Sequence, residues 1–229
     1  MPSETRAFQH RRVECGDIVR IADNVLLCVS GIGTASAQRA AEALLARGAT
    51  ALLSWGVAAA LAPGVTAGQV VLPTVVIGHE GQALRVDRDW HQRVHRRISV
   101  DMTVHVGALV ETLSVVTEPV RKLELGATRD AIAADMESAA VARVAERIGV
   151  PFLAVRAIAD DVRMQVPGWI MESLDPISGR VHAGRFGTAL LRNFGDVAHV
   201  VRLAHGVKAA TAALQRVWRR TGGDVMLVR

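Results

Sequence analysis

Two acidic clusters, each set just beyond an apolar run, constrain this chain more than any other feature. Ala131 to Ala134 is short, apolar and strand-like, and it leads into Asp135-Met136-Glu137-Ser138. Glu137 opens a segment in which Ala140, Val141, Val144, Ala145 and Ile148 recur at helical spacing. Gly149 stops that helix, and Pro151 starts a second apolar run, Phe152 to Ile158, which ends at Asp160 and Asp161. The pattern is β–α–β and predicts both carboxylates at the carboxyl ends of neighbouring parallel strands. In open α/β sheets the ligand site lies at that edge. Acids before or within a helix's first turn also act as caps and dipole partners, so Asp135 and Glu137 by themselves suit a structural role as well.

The rest of the chain repeats the alternation. Val25 to Val29 is a strand running into Ser30-Gly31-Ile32-Gly33, and Ala35 to Ala46 is a helix closed by Gly48. A glycine-rich strand-to-helix turn exposes backbone N–H groups, an arrangement suited to anions, although G-x-G alone also serves tight packing. Ala51 to Gly56 reads as a buried strand, and Gly56-Val57-Ala58 lets the backbone approach a ligand. Pro73 breaks or edges the apolar stretch Gln69 to Ile77. The polar stretch His79 to Asp89 reads as a loop, Trp90 to Ile98 as a short basic helix, and Gly107 to Val116 as a strand entering the loop at Thr117-Glu118-Pro119. Residues 162–184, with Pro167, Gly168, Pro176, Gly179 and Gly184, predict a long, partly irregular loop beside the site. Helix follows from Arg185, with Val200, Leu203, Val207, Ala210 and Leu214 on one stripe and a frayed tail from Gly222. No linker or repeat divides the chain, so residues 1–229 are expected to form a single α/β domain.

Composition excludes several classes. Of 229 residues half are apolar, yet no apolar run reaches the roughly 20 residues that span a bilayer. No secretory signal is visible at the N-terminus. Cys15 and Cys28 stand apart from any His cluster, and Cys28 lies in an apolar strand as a small core residue; a reduced, cytoplasmic setting is the expectation. The net charge of +5 invites a nucleic-acid reading. The basic residues are mostly Arg scattered over helical faces, with few aromatics to stack bases, so no nucleic-acid partner is expected. A weak peripheral contact with an anionic membrane surface stays open. Neither zinc-like ligand spacing nor a dinucleotide fingerprint is present, so no metal or redox cofactor is implied.

In order along the chain, Ser30-Gly31-Ile32-Gly33, Ser54-Trp55-Gly56-Val57-Ala58, Leu61-Ala62-Pro63, Gly68-Gln69-Val70-Val71, Asp135-Met136-Glu137-Ser138-Ala139 and Arg156-Ala157-Ile158-Ala159-Asp160 resemble the purine/uridine phosphorylase family. That family includes the methylthioadenosine/S-adenosylhomocysteine nucleosidases. Asp135-Met136-Glu137-Ser138 and the C-terminal stretch rich in Leu, Arg and Ala are most similar to the phosphorylase-like proteins associated with hopanoid biosynthesis. The resemblance implies a three-layer α/β/α sandwich with a central twisted mixed sheet, apparently without the family's first strand, because the family has a strand before the position matched by Glu4. It also implies a homodimer or larger homo-oligomer.

The activity so implied is cleavage of a nucleoside N-glycosidic bond, with release of adenine from a 5′-modified adenosine such as adenosylhopane. Asp160 matches the acid that protonates purine N7, and Glu137 the carboxylate that holds the ribose hydroxyls, with Met136 packed on the sugar. Glu4 matches the acid that activates water in the nucleosidases. Gly31 and Gly33 match the turn near the nucleophile, and Gly56 and Val57, with Thr117, the surroundings of the base. Phosphate is an optional co-substrate, since the attacking group is either phosphate or water; Ser54 stands where some phosphorylases carry a phosphate-binding Arg. The chemistry fits these residue types. Glycosidic rupture passes through an oxocarbenium-like state and needs a proton on the leaving base. A methylthioadenosine/S-adenosylhomocysteine nucleosidase, and from another class a non-catalytic nucleoside-binding or membrane-surface protein, are the rival readings. The loop with Trp169, Ile170 and Met171 is a candidate wall for an apolar 5′ channel.

Overall fold

The computed structural model describes residues 13–173, 175 and 182–225. Glu4, and with it the position of any first strand, lies outside the described residues. The described chain opens with β1 (Ile18–Ala22) and β2 (Val25–Cys28), an antiparallel hairpin that stands apart from the main sheet. Both strands are largely half-buried, so Cys28 sits at a partly exposed position instead of in the core.

Then come α1 (Thr34–Ala46), β3 (Leu52–Ala60), β4 (Val70–Val71), β5 (Val75–Ile77), β6 (Ala83–Arg85), α2 (Arg88–Ile98), β7 (Val104–His105) and β8 (Ala108–Glu111). They are followed by α3 (Pro119–Arg129), β9 (Ala131–Asp135), α4 (Ser138–Ile148), β10 (Phe152–Asp160), α5 (Gly168–Glu172), α6 (Ala183–Arg192) and α7 (Val197–Val225). Pro73 separates β4 from β5, which lie in different parts of the sheet. The stretch read as a loop after His79 contains β6, which pairs antiparallel with β5 at the sheet edge.

Eight strands make one mixed sheet in the order β6-β5-β8-β9-β3-β10-β4-β7. Along β10, Phe152, Ala154 and Ile158 face a core shared with α1 and α4, while Leu153, Val155, Ala157 and Ala159 face a core shared with α2 and α7. A strand covered on both faces reads as an unbroken apolar run, and every residue of β10 is buried. The result is the expected three-layer α/β/α arrangement.

One expectation about the sheet fails. β9 and β10 are not neighbours, because β3 lies between them, parallel to β10 and antiparallel to β9. Apolar runs show that strands exist, but consecutive strands neighbour one another only roughly two-thirds of the time. β3 touches β9 only at Ala59↔Ala134 and Ala60↔Ala133, while Ala59 also pairs with Asp160. The ends of β9 and β10 are thus joined through the end of β3, and the two acidic clusters reach one sheet edge by that route.

Helix ends follow local chemistry. Asp87 accepts a hydrogen bond from the Trp90 N–H at 2.7 Å and caps α2. Pro119 starts α3, and Gly149, with φ of 79°, ends α4. In α7 the buried apolar side chains among the described residues are Ala210, Ala213, Leu214 and Val217; Val200 and Leu203 are only half-buried. The stripe therefore packs along the second half of the helix. α7 continues past Gly222, where its backbone kinks.

Candidate active site

At the end of β9, Asp135 and Glu137 diverge in role. Asp135 is buried and accepts the Nε–H of Arg156 at 2.6 Å, the hydroxyl of Ser138 at 2.6 Å and the Ser138 N–H at 3.2 Å. Arg156 Nη2 also donates to the hydroxyls of Ser54 at 2.7 Å and Ser138 at 2.9 Å. These four residues bind β3, β9, β10 and the start of α4 into one buried polar knot. Ser54 thus sits beside a guanidinium after all, but one that β10 supplies and Asp135 engages.

Glu137 lies at the N-cap of α4 and points to the glycine turn. Its Oε1 accepts the Gly33 N–H at 2.9 Å, across 104 residues of chain, and its Oε2 accepts the Met136 N–H at 3.3 Å. Gly31 and Gly33 hold φ of 85° and 86°, a region glycine enters without strain; this turns the Gly33 N–H toward Glu137. The glycine turn, Met136 and Glu137 are therefore one local structure. Thr34 extends it, its hydroxyl lying 3.2 Å from Glu111 Oε1 and 3.4 Å from the Met136 carbonyl oxygen.

Asp160 ends β10 just past an irregularity in its pairing, its backbone opposite Ala59 where Ile158 stands opposite Ala58. Its backbone is two strand spacings, roughly 10 Å, from Ala134. It is 8 % exposed, and its Oδ2 is bound by the ammonium of Lys122, from α3. Burial pushes the Asp160 carboxyl above its ordinary value, Lys122 pulls it down, Asp161 pushes it up, and the net direction is upward. Thr117 lies nearby in the chain fold, its carbonyl accepting the Val166 N–H at 2.9 Å.

Gly56 and Val57 occupy the middle of β3, in register with Arg156 and Ala157. Val57 packs against the core under α2 and α7. Trp169 donates its Nε1–H to Asp196 at 2.8 Å and lies tilted against the Phe186 ring of α6, centroids 5.5 Å apart, and Ile170 is buried.

Sequence reasoning missed Lys122 and a second cluster. Glu111, at the end of β8, takes both terminal nitrogens of Arg143, at 3.0 and 2.9 Å, and Nδ1 of His79 at 3.0 Å. Burial pushes Glu111 up, but Arg143 and then His79 outweigh it and hold the carboxyl below its ordinary value. Lys122 had a usable signal, being one of two lysines among 27 basic residues. Glu111 had none, because its partners come from distant elements. Among the described residues no group of His, Cys, Asp and Glu is placed to hold a metal ion, and no helix is long and apolar enough to cross a membrane.

The phosphorylase superfamily model matches residues 2–169. Among curated proteins no sequence matches the chain. Solved structures share the fold at low identity. A methylthioadenosine/S-adenosylhomocysteine nucleosidase from Neisseria meningitidis, in complex with methylthio-immucillin-A, superposes with a TM-score of 0.69 at 20% identity, over 95% of this chain and 93% of that one. The S. pneumoniae nucleosidase with a transition-state inhibitor gives 0.65 at 19%, over 96% of each chain. Futalosine hydrolase from Helicobacter pylori gives 0.67 at 15%, over 96% of this chain and 94% of that one. With its sheet order, its glycine turn closed onto Glu137 and a family match over most of its length, the chain belongs to the phosphorylase superfamily, that of the nucleoside phosphorylases and nucleosidases.

Proposed function

We propose that this protein cleaves the N-glycosidic bond of a 5′-modified adenosine and releases adenine. The observation that carries the reading is the convergence of Asp160 and the Gly33–Glu137 unit on one sheet edge, a span suited to a base at one end and a ribose at the other. Asp160, raised toward its protonated form, gives a proton to purine N7. The C1′–N9 bond breaks with its electron pair going to the base, and the positive charge forming on the ribose lies near the Glu137 carboxylate. A nucleophile then adds to C1′ and, if it is water, releases a proton. Arg156 and Arg143 are each engaged by a carboxylate, which favours water over phosphate. Adenosylhopane is the proposed substrate, in keeping with the hopanoid subgroup likeness, and methylthioadenosine the alternative.

Adenine release is to be measured from adenosylhopane and from methylthioadenosine, each with and without phosphate. Phosphate-independent release from the hopanoid, abolished in Asp160→Asn, is the expected result. Strict phosphate dependence would make the protein a phosphorylase, and no release from either substrate by folded protein would overturn the reading. The same reading includes a homodimer or larger assembly, which sedimentation would register.

A further inference from the structure

The chain carries 25 arginines and two lysines, Lys122 and Lys208. Where charge faces solvent it uses Arg almost without exception, yet Lys122 is fully buried. Its Nζ is surrounded by Asp160 Oδ2, the Met164 carbonyl at 2.9 Å and the Asp161 carbonyl at 3.1 Å. Three acceptors around one nitrogen match the three N–H donors of an ammonium; the planar fork of a guanidinium does not fit three acceptors gathered about a point. Burying a cation is costly unless it is paired and fully hydrogen-bonded, and here it is both. Among the described residues Asp160 Oδ1 has no hydrogen-bond partner, although the residue is almost wholly buried.

From this geometry we propose that Lys122 is a positioning residue for Asp160: it holds Oδ2, leaves Oδ1 as the oxygen that meets the purine, and sets the pH range in which Asp160 carries its proton. The inference rests on the reading of Asp160 as the acid. The charged groups facing Asp160 are Lys122 from α3 and Asp161 beside it. Arg156, four residues earlier in β10, is engaged by Asp135. α7 meets this end of β10 through Gly206, against the Ala159 carbonyl. The same ammonium ties the 161–164 turn to α3, so the loop that follows the acid is fixed by the residue that orients it.

An opposite charge in contact lowers a carboxyl by about 1–3 pH units. In Lys122→Met and Lys122→Gln that pull is gone, Asp160 keeps its proton to higher pH, and the alkaline limb of kcat moves up by about one pH unit or more. At the optimum kcat falls about 100-fold through lost orientation, while KM changes much less. A lowered Tm with the limb unmoved would overturn the proposal.

A second measurement needs no Lys122 variant and no turnover. Protein labelled with 15N-lysine shows at most two side-chain ammonium signals. One should be protected from exchange and should shift in Asp160→Asn. Absence of a protected signal in the wild type, or a protected signal indifferent to Asp160→Asn, overturns the pairing. If the wild type releases no adenine while the protected signal responds as expected, the activity reading fails and the Lys122–Asp160 pairing stands.

Discussion

Replacing Arg156 by Met tests the polar knot beneath the site. The two side chains of the Arg156–Asp135 pair are 3% and 1% exposed, so neither charge recovers solvation when its partner goes. In Arg156→Met the stem is retained and the guanidinium lost. Asp135 keeps only the Ser138 donors, and the Ser54 hydroxyl loses its contact to Nη2. Removing one partner of a buried pair costs about 3–5 kcal/mol. For a domain of this length each kcal/mol lowers Tm by roughly 2–4 °C, so a fall of roughly 6–20 °C is expected. Urea unfolding followed by far-UV circular dichroism gives the free energy, with the slope m unchanged if only stability has altered. The double variant Arg156→Met/Asp135→Leu removes both charges and should be clearly more stable than Arg156→Met, since apolar replacement of an entire buried pair is often neutral. A loss under about 1 kcal/mol in Arg156→Met, or costs that simply add in the double variant, would refute the coupling.

Other outcomes follow from the same contacts. Glu137→Gln should keep the Gly33 hydrogen bond but weaken ribose binding, raising KM roughly 10–100-fold for loss of charge-assisted bonds of about 1.5–3 kcal/mol; unchanged KM would remove Glu137 from the ribose site. The Glu111 carboxyl is held below its ordinary 4.5, so its contribution to stability is present above that pH and is lost as pH falls through the folded-state value. The stability difference between wild type and Glu111→Gln, from urea unfolding at neutral pH and at about pH 3, should therefore shrink in acid; a constant difference would contradict the ion cluster. Gly206→Ala should destabilise, because a Cβ there collides with the Ala159 carbonyl oxygen. The clash, about 1–3 kcal/mol, outweighs a helix-propensity gain of about 1 kcal/mol, and a raised Tm would show that α7 can shift off β10.

Much of the fold was legible because strand and helix periods are local. The run Phe152 to Ile158 announced a strand, Pro73 an edge or a break where β4 and β5 separate, and Gly149 the end of α4. β6 was missed because three residues at a sheet edge, with only Leu84 buried, carry too short an alternation to read. Asp135, Met136, Glu137 and Asp160 were singled out from the chain, but the separate roles of Met136, Glu137 and Asp160 came from the family resemblance and not from their spacing. The structure separates them, with Asp135 spent on Arg156 and Glu137 turned to the glycine loop.

By itself, then, the sequence determined the α/β class and the order of most elements, since each depends on spacing within a few turns or strands. Only tertiary structure decided that β3 separates β9 from β10, that Glu137 closes on Gly33 across 104 residues, and that Lys122 lies against Asp160. These are pairings between groups far apart in the chain. Such contacts are selected by how the layers pack and by the requirement that every buried charge find a partner, and no local pattern encodes which partner that will be.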